Sequence, residues 1–304
     1  MAVLGFDFGT TNSLMSLVQG DRVLSFYDER GLPVPSIVCY EGGKTIVGRD
    51  ARERLSQAGL GVHDNIVRSP KGLLGREGVI VGGVERSPVD IVREVVSFVC
   101  RQVQTSRTVK GLTADRAVVT IPVNMDGYRR SLLRDACRMA GLSVIQFVHE
   151  PLAALYGYMR ASMNFEEALR KYDRKLLMVF DWGGGTLDLT LCRATGGKLM
   201  QIGNDGTDEV GGDVFDEELR NEIERLVRVE RSLGADVDVL PEARSRLMAE
   251  CERAKIDLST KEAVSIYVGS FFRDVDDPSL DFRLTRPLLE SIVSKLVLTH
   301  QSPI

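Results

Sequence analysis

The chain has 304 residues, 43% of them apolar, which is enough for two packed domains of roughly 100–200 residues each. Its 43 acidic residues against 39 basic ones give a net charge of −4 with no basic stripe, which argues against nucleic acid as a partner. Five scattered cysteines (Cys39, Cys100, Cys137, Cys192, Cys251) without metal-ligand spacing read as buried free thiols, three histidines cannot build a His-rich metal site, and no apolar run approaches the ~20 residues of a membrane span. The start, Met1-Ala2-Val3-Leu4-Gly5-Phe6-Asp7, reads as a strand rather than a signal peptide, so the expected location is cytoplasmic with no membrane partner.

In chain order, residues 3–8 and Ser13–Val18 are apolar strands joined by the turn Gly9-Thr10-Thr11-Asn12. A third strand, Val23–Tyr27, follows the turn Gly20-Asp21. Leu32–Ser36 carries two prolines and breaks regular structure, and Ile37–Tyr40 with Thr45–Val47 forms a short hairpin around Gly42-Gly43. Asp50–Gln57 is a helix candidate. Residues 59–88 are glycine- and proline-rich and read as loop; they contain the basic run Arg68-Ser69-Pro70-Lys71-Gly72-Leu73-Leu74-Gly75-Arg76, which composition alone assigns to a solvated surface. Helical spacing of Ile91, Val92, Val95, Val96, Val99 and Val103 marks a helix from Pro88 to about Arg107.

Arg116–Pro122 is a buried strand, Asp126–Ala140 an amphipathic helix capped by Gly141, and Ser143–Val148 a strand ending at His149-Glu150-Pro151. Glu150 therefore sits between a strand end and the helix Leu152–Met163. It is either a first-turn acid favoured by the helix dipole or a carboxylate aimed at a ligand, since ligands of α/β folds gather at such junctions. Asn164–Lys175 is a polar linker or short helix. Residues 176–193 form a hairpin around a glycine turn, and Lys198–Asn204 is a strand. Gly206–Gly212 is loop, and Gly211-Gly212-Asp213 opens a helix over Val214–Val229; Asp213 is its N-cap or part of an anion site, and the two are compatible. Pro241–Asp257 is a charged helix on which Glu252, Lys255 and Ser259 share a face, as ordinary salt-bridging residues do as well. Ala263–Tyr267 and Phe282–Leu284 are strands, and Thr285-Arg286-Pro287 starts a last helix.

One device occurs twice. Phe6-Asp7-Phe8-Gly9 aligns with Phe180-Asp181-Trp182-Gly183, each an apolar strand reaching an aspartate and then a glycine turn. Bare backbone amides in such turns bind phosphate oxygens, and Thr10, Thr11 and Thr186 add hydroxyl donors. An aspartate before each turn would repel phosphate unless a cation intervenes, so Asp7 and Asp181 point to Mg²⁺ held through water. Two similar halves facing each other would set the turns on opposite walls of one cleft. There Lys71 could neutralise a terminal phosphate and Glu150 could orient a water, which are the parts phosphoryl transfer needs.

These residues resemble the heat-shock protein 70 (DnaK) family. Phe6–Ser13 is similar to its first phosphate loop and Phe180–Asp188 to its second. Lys71–Arg76 resembles the loop carrying its catalytic lysine, and Ile121-Pro122-Val123, Ala140-Gly141-Leu142 and His149–Ala154 resemble the segment ending in its catalytic glutamate. Gly211–Asp216 resembles its second-lobe phosphate loop, and Glu252–Ser259 its adenosine-binding helix. The resemblance implies an α/β, actin-like ATPase fold with ribonuclease H-like duplicated lobes around a nucleotide cleft. Lobe I would cover 1–170, with an inserted subdomain at about 37–110; lobe II would cover 171–304, with an inserted subdomain at about 213–283. It implies a chaperone nucleotide-binding domain that hydrolyses ATP to ADP and phosphate. Asp7, Lys71, Glu150, Asp181 and Thr186 would be catalytic, with Asp7 and Asp181 on Mg²⁺. Nucleotide would touch Gly9, Thr10, Thr11, Asn12, Lys71, Gly183, Gly184, Gly185, Thr186, Gly211, Gly212, Asp213, Glu252, Lys255 and Ser259. The resemblance also implies a J-domain co-chaperone, a nucleotide-exchange factor and unfolded clients, met through parts outside this chain.

Several positions depart from the family. The Gly-Gly-x-[Ser/Thr]-Arg motif on the far side of the adenine does not occur, so an incomplete, divergent nucleotide-binding domain is expected, and Trp182, Leu187, His149 and Leu152 replace more usual residues. Two other functional classes stay open on the residues alone: a small-molecule kinase of the actin-like superfamily, and a non-catalytic nucleotide-binding protein.

Overall fold

In the computed structural model the described residues are 2–20, 22–57, 65–106, 109, 111–162, 164–184, 187–207 and 210–299. They form two compact units. Of the described residues, the first comprises 2–20, 22–55, 65–106, 109, 111–162, 164–181 and 188–205; the second comprises 56–57, 182–184, 187, 206–207 and 210–299.

The first unit is built on a sheet from β1 (Leu4–Phe8), β2 (Asn12–Gln19), β3 (Arg22–Phe26) and the two-residue β4 (Val34–Pro35), which pairs with β2. The proline-rich stretch expected to break regular structure thus contributes one short pairing, Asn12 with Pro35 and Ser13 with Val34. In β1 the side chains alternate: Leu4, Phe6 and Phe8 are buried, while Asp7 points to the other face. A strand's period of two separates an apolar anchor from a carboxylate one residue away.

β5 (Ile37–Glu41), β6 (Lys44–Val47) and β7 (Ile66–Arg68) form a three-stranded sheet beside α1 (Arg49–Gln57). After it the chain makes a single 3₁₀ turn, Pro70–Leu73, and then the hairpin of β8 (Val79–Val81) and β9 (Val84–Arg86). The expectation of loop across 59–88 is corrected here for its described part. Val79-Ile80-Val81 and Val84 flank Gly82-Gly83, whose φ values of 60° and 72° suit the two-residue turns that match strand twist.

α2 (Pro88–Thr105) buries Ile91, Val92, Val95, Val96, Val99, Cys100 and Val103 along one side. Valine-rich helices are poor by propensity, so packing supplies the stability, at roughly 1.5–3 kcal/mol for each fully buried aliphatic side chain. β10 (Arg116–Ile121), α3 (Gly127–Met139) and β11 (Ser143–His149) follow. Asp126 caps α3 by accepting the Arg129 N–H at 2.8 Å, and Gly141 (φ 81°) turns the chain just past its end. β10 pairs parallel to both β1 and β11, so the sheet runs β11-β10-β1-β2-β3. This antiparallel meander followed by parallel strands is a ribonuclease H-like order.

α4 (Glu150–Ser162) begins at Glu150 itself, two residues earlier than the sequence suggests, with Pro151 in its first turn. The ambiguous linker contains α5 (Phe165–Lys171), capped by Asn164. β12 (Leu176–Trp182), β13 (Leu187–Thr195) and β14 (Lys198–Thr207) make a sheet in that order, repeating the β1-β2-β3 succession.

The second unit packs α6 (Gly212–Glu230) and α7 (Pro241–Asp257) with the antiparallel pair β15 (Ala263–Val268) and β16 (Leu280–Thr285) and the last helix, α8 (Arg286–Thr299). Leu219, Ile223, Leu247, Cys251, Ile266, Phe271 and Leu284 form its core. All five cysteines are free and buried. Among the described residues, no helix is long and apolar enough to cross a membrane.

Candidate functional site

Lys71 is the centre of the first unit's polar site. The 3₁₀ turn that carries it starts from Ser69, whose φ of 51° and ψ of 54° are left-handed, before Pro70. That backbone drives the Lys71 side chain inward, where only 4% of it remains exposed. Its ammonium donates to the Phe8 carbonyl at 2.7 Å and to Glu150 Oε1 at 2.6 Å, and lies 5.9 Å from the Phe8 ring centre. A buried lysine needs such partners, and the charge-assisted bonds are short as expected. The solvated-loop alternative for this stretch therefore fails at Lys71.

The Phe8 carbonyl lies at the mouth of the first glycine turn. Phe8 and Ser13 are the closing pair of the hairpin, and a Cβ on Gly9 would overlap the Asn12 carbonyl oxygen. Ser36 ties the turn down: its hydroxyl donates to the Gly9 carbonyl at 2.9 Å and its N–H to the Thr11 carbonyl at 2.8 Å. Thr10, Thr11 and Asn12 stay partly or fully exposed along that turn. Asp7, on the face opposite the core, accepts the Thr120 hydroxyl of β10 at 2.8 Å.

Glu150 at the head of α4 and Asp181 near the end of β12 complete the constellation. Burial pushes the Glu150 carboxyl above the ordinary range; Lys71 opposes this, while Asp7 and Asp181 reinforce it. Burial, then Asp188 and Asp7, push Asp181 up as well, again against Lys71. Four carboxylates thus act on one another around a single lysine. Such a donor set fits a divalent cation, which would relieve the repulsion. Among the described residues, no three His, Cys, Asp or Glu side chains group tightly enough to hold a metal directly.

The second unit holds the remaining expected residues. The N–H of Gly212 donates to the Gly183 carbonyl at 3.1 Å and that of Asp213 to the Gly184 carbonyl at 2.6 Å, so the start of α6 is tied to the second glycine turn. Gly211 is the N-cap of α6 and accepts the Phe215 N–H at 3.0 Å. Lys255 donates to the Gly212 carbonyl at 2.9 Å and pairs with Asp216 at 2.8 Å. Glu252 lies one turn earlier on α7, and Ser259 just past its end donates its N–H to the Ile256 carbonyl at 3.1 Å. Trp182 meets the Phe215 ring edge-on at 5.5 Å. Gly185 and Thr186 lie outside the described residues.

The sequence reading did not single out Thr120, Ser36, Asp188 or Asp216 as site residues. Thr120 alternates out of a buried strand and could have been found from that register. Ser36 gave no signal, and Asp216, though inside the Gly211–Asp216 stretch, gave none of its partner, because Lys255 is distant in sequence. His149 pairs through Nδ1 with Gln201 Oε1 at 2.8 Å, which joins the end of β11 to β14.

A family model described as "Hsp70 protein" matches residues 3–94 and 79–304. The chaperone protein DnaK of Cenarchaeum symbiosum (strain A) is 30% identical over 304 residues, which are 97% of this chain and 44% of that protein. The chaperone protein DnaK of Mycoplasmopsis synoviae (strain 53) is 28% identical over 305 residues, 99% of this chain and 48% of that protein. That of Metamycoplasma hominis is 27% identical with the same coverage. The chain spans about half the length of these curated relatives. With strand order, glycine turns and a family match over residues 3–304 in agreement, the chain belongs to the Hsp70 family, corresponds to its N-terminal portion, and has the mixed α/β fold of that family's actin-like ATPase domain.

Proposed function

We propose that the chain binds ATP with Mg²⁺ and hydrolyses it to ADP and phosphate. The observation that carries this reading is Lys71, a buried ammonium fixed between the Phe8 carbonyl of the first glycine turn and the Glu150 carboxylate. Lys71, with Thr186, supplies positive and hydroxyl donors to the transferring phosphoryl group. Glu150 accepts a hydrogen bond from the attacking water and orients it, helped by a carboxyl that burial and neighbouring acids make more basic than usual. Asp7 and Asp181 would hold Mg²⁺ through water, and the ion when bound neutralises phosphate charge. The backbone of residues 9–12 and 183–185 takes phosphate oxygens, and Gly211, Gly212 and Asp213 flank them. Glu252, Lys255 and Ser259 are assigned to the adenosine.

The wider family reading is part of the same proposal: a conformational cycle driven by hydrolysis, a J-domain co-chaperone, a nucleotide-exchange factor and unfolded clients. Lys71→Ala removes the central cation. Single-turnover hydrolysis should fall by at least about 10²-fold, the scale of losing one transition-state donor, while calorimetric ATP binding persists. Turnover like that of the parent protein would overturn the assignment.

A further inference from the structure

Asp216 is a carboxylate in an apolar place. It lies one turn into α6, on the side that also buries Phe215, Leu219, Ile223 and Val227, and is 3% exposed. Burying an ionised carboxylate is unfavourable unless a cation answers it. Lys255 does so from α7 at 2.8 Å, in an ion pair that lacks full hydrogen-bond alignment. The same ammonium donates to the Gly212 carbonyl at 2.9 Å. Gly212 in turn sits hard against the second glycine turn. A Cβ added there would lie 3.4 Å from the Gly184 Cα and 3.4 Å from Lys255 Nζ, and the Gly212 and Asp213 amides are already spent on the Gly183 and Gly184 carbonyls. Trp182, the residue before the turn, rests edge-on against Phe215, the neighbour of Asp216.

We propose that Asp216 is a positioning residue: through Lys255 it clamps the start of α6 and so fixes the backbone of the Gly183-Gly184 turn. It touches no nucleotide itself. The functional meaning of the clamp rests on the reading of that turn as a phosphate loop; the clamp as a structural device does not. Its cost supports a positional role, because a leucine-like residue would suit the α6 stripe better. Three charged groups face Asp216: Lys255 and Glu252 from α7 and Asp213 from α6. The Cys251 thiol nearby is pushed up to about 12 by burial and stays uncharged. Protonation of Asp216 is therefore the event that releases Lys255.

Amide hydrogen exchange of Gly212 and Asp213, measured without nucleotide on the whole chain, reads the clamp directly. Asp216→Asn should speed exchange at both amides by about tenfold, while amides in the core of α2 keep their rates. Lys255→Gln should do the same, and the double variant should exchange no faster than either single one, as expected of residues acting as one unit. Should Asp216→Asn fail to fold, the unaltered chain carries the test. Protection at these two amides, corrected for intrinsic exchange, should drop as pH falls from 7.5 to 5. Unchanged protection in Asp216→Asn, or in the unaltered chain across that range, overturns the clamp. ATP titration of the same samples separates the two readings: loss of protection with no ATP binding by the unaltered chain keeps the clamp and sinks the nucleotide reading.

Discussion

Lys71 and Gly9 show how much of the site depends on close approach. The ammonium leaves water because two acceptors, the Phe8 carbonyl and the Glu150 carboxylate, stand within 2.7 Å of it. The Phe8 carbonyl stands there because the turn after it is tight, and the turn is tight because Gly9 has no Cβ to meet Asn12. Gly9→Ala must open the turn, so it should destabilise by roughly 1–3 kcal/mol, the usual range for overpacking, in urea denaturation. An unchanged midpoint would mean the turn yields freely and does not hold the carbonyl in place. The glycine itself was legible, since an Asp-x-Gly-Thr turn between apolar strands has few other uses. That the lysine 63 residues away would meet its flank was not. Composition makes Lys71 a surface residue; the duplicated turn and the family resemblance pointed it at the phosphates.

The element that delivers Lys71 is short and strained. Ser69 takes a left-handed backbone that L-residues other than glycine, asparagine and aspartate seldom adopt, and it does so just before a proline. The Ser69 carbonyl accepts the Gly72 N–H at 3.0 Å, and Lys71 begins its inward course from that turn. A β-branched side chain tolerates this backbone worst. Ser69→Val should therefore cost roughly 1–3 kcal/mol and slow any Lys71-dependent turnover, whereas Ser69→Gly should leave both close to the parent values. Equal behaviour of the two variants in thermal melts would remove the strain argument. Elements with sustained periodicity, such as α2 and α7, were readable because one face repeats an apolar residue at every turn. The β8–β9 hairpin was missed although Gly82-Gly83 between valines spells it, because glycine-rich surroundings mask a three-residue strand. Asp216 and Lys255 lie on different helices, and each already has a local explanation, one as a helix acid and the other as a salt-bridging surface lysine.

For the whole molecule, the carboxylates fall into two groups with opposite responses to acid. Burial raises Glu150, Asp181 and Asp216, the last to about 6 from an ordinary 3.8. Asp28 and Glu224, despite burial, are held low, the first by the Leu32 N–H and Arg49 and the second by Arg244 and Arg228; Arg225 holds Glu222 low. A raised acid binds its proton more tightly in the folded state, so its contribution is complete below the unfolded value and is lost as pH rises through the folded one. A lowered acid contributes above the unfolded value and loses that contribution as pH falls through the folded one. Asp216, raised to about 6, takes up its proton between pH 7.5 and 5, so its own contribution to stability grows as pH falls toward 5. Asp216 alone should add about 1.4 kcal/mol over that interval, since one pH unit below its folded value is worth that much. Asp216→Asn has no such proton to bind. Urea denaturation of both proteins at pH 7.5 and 5.0 should therefore show the parent gaining about 1.4 kcal/mol more than the variant, with equal m-values. Equal gains would mean that the buried carboxylate does not take up its proton in this range.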